Sequence, residues 1–227
     1  MNLSLGVFLI LVSADILMIV FHFTLRSWLG FFDLDREGNL ISLWTGIKLW
    51  SGATAAFMLA LFIKHLGAKR SEWLAWFLLA LGLLWIGMDD LLAIHERLTF
   101  VLNNIFGSGG FYGESFNWLF YFAPLFFISI AVFCKTAKSA AKWASAGDWF
   151  YASIFFAIGA MTVEIYGRQL ILEPVVRVAR YHLLIPVEEF FELAAATAVV
   201  FGCYLTLVQF WKTHISFVDK TDPKLEK

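Results

Sequence analysis

The sequence predicts an all-α, polytopic membrane protein built as a six-transmembrane-helix bundle, and three observations lead there. Of its 227 residues, 60% are apolar and mean hydropathy is +0.75, whereas soluble domains are about 45–50% apolar. The apolar residues gather into six runs, each close to the roughly 20 residues that a helix needs to cross a bilayer. The connections between runs are short.

The first run, 3–25, has no positive charge ahead of it and no small-residue cleavage site, so it reads as a retained helix and not a signal peptide. The second spans 42–63 and contains Lys48. The third, 73–98, is read as one continuous helix, and the fourth covers 116–134. The fifth, 149–170, carries Glu164 and Arg168, and the sixth, 186–211, opens on Pro186, which suits a first helical turn. Connections near 98–115 and 171–185 have room for a short interfacial helix but for no folded module. The domain plan is a six-helix unit, 1–211, and a polar tail, 212–227. Cys134 and Cys203, the only cysteines, read as small buried apolar residues and not as a disulfide or thiolate site.

Loop charges orient the bundle. Ten Lys and Arg residues fall in the 64–72 and 135–148 connections and the tail, against six (Arg26, Arg36, Arg97, Arg168, Arg177, Arg180) on the other side. The positive-inside rule places both termini in the cytoplasm.

Eight carboxylates then lie in or within a turn of the spans: Asp15, Asp89, Asp90, Glu96, Glu164, Glu188, Glu189 and Glu192. All fall in the extracytoplasmic half. An ionisable group at bilayer depth costs roughly 2.5–3.5 kcal/mol even on the lenient insertion scale, so several persist only by facing a polar interior, pairing, or binding cations. At about 1.5 Å per residue, Asp15, Lys48, Asp90, Glu164 and Glu192 lie roughly 10–17 Å below the outer interface. On a continuous third helix, Asp89 shares a face with Glu96 and Asp90 with Arg97, while His95 points about 120° away from Asp89.

Each group also has a structural explanation. Glu188 and Glu189 suit a helix N-terminus behind Pro186, Glu164 and Arg168 suit an i,i+4 ion pair, Asp15 suits a polar bridge between helices, and His22 and His182 suit the interface. Taken together, the eight face only Lys48, Arg97 and Arg168 as fixed cations, which leaves several for protons or a bound cation to neutralise. Asp/Glu/His sets without cysteine suit Zn, Fe, Mn or Cu, and all-oxygen sets suit Ca or Mg.

The run Asp-Asp-Leu-Leu-Ala-Ile-His-Glu (Asp89 to Glu96), the run Glu-Glu-Phe-Phe-Glu (Glu188 to Glu192) and the loop Phe32 to Leu40 together resemble an uncharacterised family of bacterial six-helix integral membrane proteins. Its members share an acidic pair and His-Glu on helix 3, an EExxE-type motif on the last helix, and an acidic loop ending in Asn-Leu. The resemblance implies a shared site in the extracytoplasmic half and residence in the bacterial inner (cytoplasmic) membrane. It carries no activity to transfer. The usual acidic pair there is Asp-Glu, so Asp90 is a departure, and Lys48 is unusual.

The candidate metal ligands are Asp89, His95, Glu96, Glu164, Glu189 and Glu192, supported by Asp15, Lys48, Asp90, Arg168 and Glu188. Arg168 or Lys48 would hold an anionic group, and bound water would supply a nucleophile against a lipid or small apolar substrate. A ferritin-like Glu-x-x-His pattern is absent. Two other readings compete: an ion or proton conductor, opposed by the lack of a relay in the inner halves, and a non-catalytic subunit meeting other membrane subunits and lipids. Asp33, Asp35, Glu37 and Gly38 echo a calcium loop, yet the twelfth position is Trp44 and not a bidentate glutamate. The Gly-rich stretch 107–113 follows no strand and suits a lid better than a phosphate cradle. Retinal is disfavoured, because Lys48 is early in helix 2 and a seventh span is missing. The net charge of −1 offers no footing for nucleic acid.

Overall fold

The computed structural model describes residues 3–25, 29, 39–106, 117–142, 146–171 and 177–221. Among them are seven helices and no strand: α1 (Leu3–Leu25), α2 (Leu40–His65), α3 (Arg70–Leu92), α4 (Ile94–Phe106), α5 (Asn117–Ala140), α6 (Gly147–Ile171) and α7 (Arg177–Thr221). Six are long and apolar enough to cross a membrane, and α4 is the exception. The protein is an all-helical membrane protein.

The two most buried spans are α2 and α7. Small residues let neighbours approach them, as helix packing in lipid requires. A Cβ on Gly52 would stand 2.9 Å from Val200 Cγ2, and one on Gly46 would stand 3.1 Å from the Gly87 carbonyl oxygen, so α2 crosses α7 and α3 almost backbone to backbone. Below these crossings Leu59, Trp76, Leu79, Phe150, Val200 and Cys203 form a tightly buried core. The Trp76 indole donates to Ser139 Oγ at 3.1 Å, and Lys142 pairs with Glu72 at 2.7 Å at that end of the bundle. Both cysteines are free thiols, Cys203 buried and Cys134 half-buried.

Local chemistry explains where α2 begins. Asn39 Oδ1 accepts from the backbone N–H groups of Ile41 (2.7 Å) and Ser42 (2.8 Å), which satisfies two of the donors that a helix start leaves unmet.

Two elements differ from the sequence expectation. The third span is not continuous to residue 98: α3 ends at Leu92, Ala93 adopts the left-handed conformation (φ 49°, ψ 46°), and α4 restarts at Ile94. The connection that had room for a short helix from about residue 98 thus holds α4, which starts earlier, at Ile94. The last helix begins at Arg177 and not at Pro186, which sits inside α7. Glu188 and Glu189 are thus mid-helix residues, beyond the reach of a helix N-terminus. At its other end α7 runs on to Thr221, so the polar tail starts as helix.

Candidate functional site

α1, α2 and α7 meet in a buried ion pair. Lys48, 2% exposed, donates to Asp15 Oδ1 at 2.6 Å, Thr197 Oγ1 at 3.2 Å and the Leu193 carbonyl at 3.3 Å. These three acceptors match the three N–H donors of an ammonium group. Asp15 also accepts from Trp44 Nε1 at 2.8 Å and from Thr197 Oγ1 at 2.5 Å. Lys48 is therefore the counter-charge of Asp15, and its donors are spent without an exogenous anion. The network fastens α1, otherwise the least buried span, to the two central helices. His22, expected at the interface, is buried at 1% exposure with its ring edge-on to Phe23.

The α3–α4 corner builds a second arrangement. Because the chain reverses its helical sense at Ala93, His95 folds back over the last turn of α3 instead of pointing away from Asp89. Asp89 Oδ1 accepts the His95 backbone N–H at 2.7 Å, and Oδ2 accepts from His95 Nδ1 at 3.0 Å. One carboxylate caps the first turn of α4 and orients the imidazole, with the proton on Nδ1 and Nε2 as the remaining ring nitrogen. Thr99 Oγ1 closes the same turn on the His95 carbonyl at 2.6 Å.

Asp89 and His95 line a cavity of about 310 Å³ together with Asp90, Glu164 and Glu192. Its remaining wall is mostly apolar, with Leu49, Leu83, Ile86, Phe133, Met161 and Val199. Among the described residues, the lining contains four carboxylates and one imidazole. Asp90 also lies within electrostatic reach of Lys48, which sets the ion pair just behind the acidic end. Ser153, on the cavity wall, donates to the Ala195 carbonyl at 2.9 Å and ties α6 to α7.

The expected polar layer is thus divided. Asp89, Asp90, His95, Glu164 and Glu192 share one cavity, Asp15 and Lys48 form their own cluster, and Glu188 and Glu189 are half-buried on α7 outside the cavity lining. The side chains of Glu96, Arg168 and His182 lie outside the described residues, as do Asp33, Asp35 and Glu37 and the 107–113 stretch. Among the described residues, no three His, Cys, Asp or Glu side chains stand close enough together to hold a metal ion in common. Sequence reasoning missed Trp44 and Thr197 as partners of Asp15. Their signal was present, since a buried aspartate needs donors and both residues lie at its depth.

No curated protein and no solved structure matches the chain. A family described as "Domain of unknown function (DUF8692)" matches residues 3–207, nearly the whole of it, and the chain belongs to that family.

Proposed function

We propose that the acidic cavity is the functional centre and that it binds a divalent cation, Zn, Fe, Mn or Cu, in the extracytoplasmic half of the bacterial inner membrane. The observation that carries this reading is the cavity lining, in which four carboxylates and an imidazole from α3, α4, α6 and α7 border one space. His95 is the nitrogen ligand. Asp89, already holding Nδ1, acts behind it as the carboxylate that fixes the ring, an arrangement that metal-bound histidines usually adopt. Glu164 and Glu192 are the oxygen ligands, and their long side chains can re-aim toward an entering ion without backbone movement. Asp90 completes the charge balance. Glu189, also a ligand candidate by sequence, is second in line because it is not part of the cavity lining.

Held by His95, Glu164 and Glu192, a metal would supply Lewis-acid chemistry toward a lipid or small apolar substrate. Among the described residues, the apolar core beneath, from Leu59 to Cys203, has no carboxylate, histidine or lysine to extend a proton or ion path, which weighs against the conductor reading. A subunit role in a larger membrane assembly is the outcome if no ion binds. The test is elemental analysis of protein purified without chelators. About one ion per chain is expected, with occupancy falling roughly 10–100-fold in affinity for Glu192→Gln or His95→Ala. Metal-free protein that is folded and resists loading rejects the reading.

A further inference from the structure

We infer that the cavity takes a neutral medium-chain alcohol, whose oxygen bonds the Thr45 hydroxyl and whose hydrocarbon chain lies on the apolar wall. The inference rests on the cavity being the functional centre, and it names the class of molecule that this centre accepts.

Thr45 stands apart from the other helical threonines. A threonine hydroxyl inside a helix commonly donates to the carbonyl four residues earlier, as those of Thr54, Thr99, Thr136 and Thr206 do. Thr197 instead bonds Asp15 and Lys48. Among the described residues, Thr45 is the threonine whose hydroxyl has no partner in the protein. It is only 9% exposed, and a polar group buried without a hydrogen bond is costly. Its oxygen is nevertheless not sealed in by neighbouring atoms, and the space that Thr45 borders is the cavity. One donor and two lone pairs are therefore left for a ligand there.

The rest of the lining sets what the ligand carries. Leu49, one turn along α2 from Thr45, joins Leu83 and Val199 in a tightly buried apolar floor. Ala160, Ala195 and Ala196 keep the space open where longer side chains would fill it. An apolar cavity of about 150 Å³ holds a benzene ring. A space of about 310 Å³ then takes about twice as many non-hydrogen atoms, the size of an alcohol of about eight to ten carbons and far less than a phospholipid. The neighbours of Thr45 decide the oxygen group. Asp90, Glu164 and Glu192 border the same space, and a carboxylate has about four acceptor positions, so one already engaged still has room for another donor. A ligand hydroxyl accepts from Thr45 and gives its own proton to such an acceptor. An ether or carbonyl oxygen has no proton to give.

The experiment uses the full chain in phosphatidylcholine nanodiscs with 1-octanol carrying a diazirine at mid-chain, and peptide mass spectrometry reads the label. The expected result is labelling of the cavity wall, at Leu83, Met161 or Val199. Plain 1-octanol should compete about threefold to tenfold better than its isomer 1-methoxyheptane at equal concentration in the membrane, because the ether cannot donate. Thr45→Val, similar in shape but without the hydroxyl, should weaken octanol binding about threefold to tenfold while the unfolding midpoint and metal content stay at wild-type values. Thr45→Ser should retain the binding, and Ala160→Leu, which fills the space, should remove the label independently. Labelling spread over the exposed helix faces without the cavity wall, equal competition by the ether, or wild-type octanol binding in Thr45→Val overturns the inference. Selective cavity labelling in protein that resists metal loading keeps this inference and rejects the metal, and metal-loaded protein without cavity labelling does the reverse.

Discussion

Asp89 holds His95 by both of its oxygens, Oδ1 on the backbone N–H at 2.7 Å and Oδ2 on Nδ1 at 3.0 Å. The relationship makes Asp89 an orienting residue and separates two effects that a substitution can remove. Asp89→Asn retains an oxygen to cap α4 but presents an amide that cannot fix the same tautomer. The expected outcome is a nearly unchanged unfolding midpoint, a shift of the imidazole proton toward Nε2 visible in nitrogen NMR, and a roughly 10–100-fold loss of metal affinity. Asp89→Ala removes the cap as well and should cost about 1 kcal/mol more in stability. If Asp89→Asn and Asp89→Ala lower metal affinity without changing the tautomer, Asp89 is itself a ligand.

Lys48 and Asp15 compensate each other, at 2.6 Å. Removing one partner of a buried pair leaves a bare charge, so Lys48→Met should destabilise the protein by about 3–5 kcal/mol. Adding Asp15→Asn removes the stranded charge and should recover much of that loss. Both effects should be the same with and without chelator, because the pair is satisfied within the protein. Unfolding in detergent compares wild type, Lys48→Met and the double variant. A Lys48→Met penalty that disappears when metal is added would instead link Lys48 to the cavity charge.

How much of this was legible in the sequence depends on range. The spans were, because twenty apolar residues in a row have few other uses, and rise per residue put Asp90, Glu164 and Glu192 at one level, where they line one cavity. What periodicity could not supply was the break at Ala93. Alanine is a good helix former, and nothing in the run Leu91 to Ile94 signals a left-handed residue; the break is set by capping from Asp89 and by where α4 lies. An error of one residue's conformation then misplaced His95 by a whole face. Pro186 misled in the opposite way, since its usual place is a helix start, and here it is buried inside α7. Asp15 and Lys48 were each visible, but their pairing is a contact across 33 positions that only packing decides.

Ala93 provides a direct check on that corner. A left-handed alanine costs roughly 1–2 kcal/mol that glycine does not incur. Ala93→Gly should raise stability or leave it level while retaining His95 geometry and metal affinity. Ala93→Val puts a β-branched residue at φ 49°, where it is an outlier, and should both destabilise the protein and loosen His95. Metal affinity and the unfolding midpoint of the two variants would refute the account if valine were tolerated as well as glycine.

Two glycines on α3 should respond in opposite ways to the same added methyl. A Cβ on Gly82 meets nothing within 4 Å, whereas one on Gly87 would stand 2.8 Å from Trp50 Nε1 and 3.2 Å from the Gly46 carbonyl oxygen. Gly82→Ala therefore gains only helix propensity and should stabilise by about 0.5–1 kcal/mol. Gly87→Ala must push α3 away from α2, at an expected cost of about 1–3 kcal/mol. Gly87 is two residues before Asp89, so the displacement passes straight into the acidic end of the cavity. Metal affinity should fall in Gly87→Ala and stay at the wild-type level in Gly82→Ala. Equal behaviour of the two variants would mean that the α2–α3 crossing does not position the cavity.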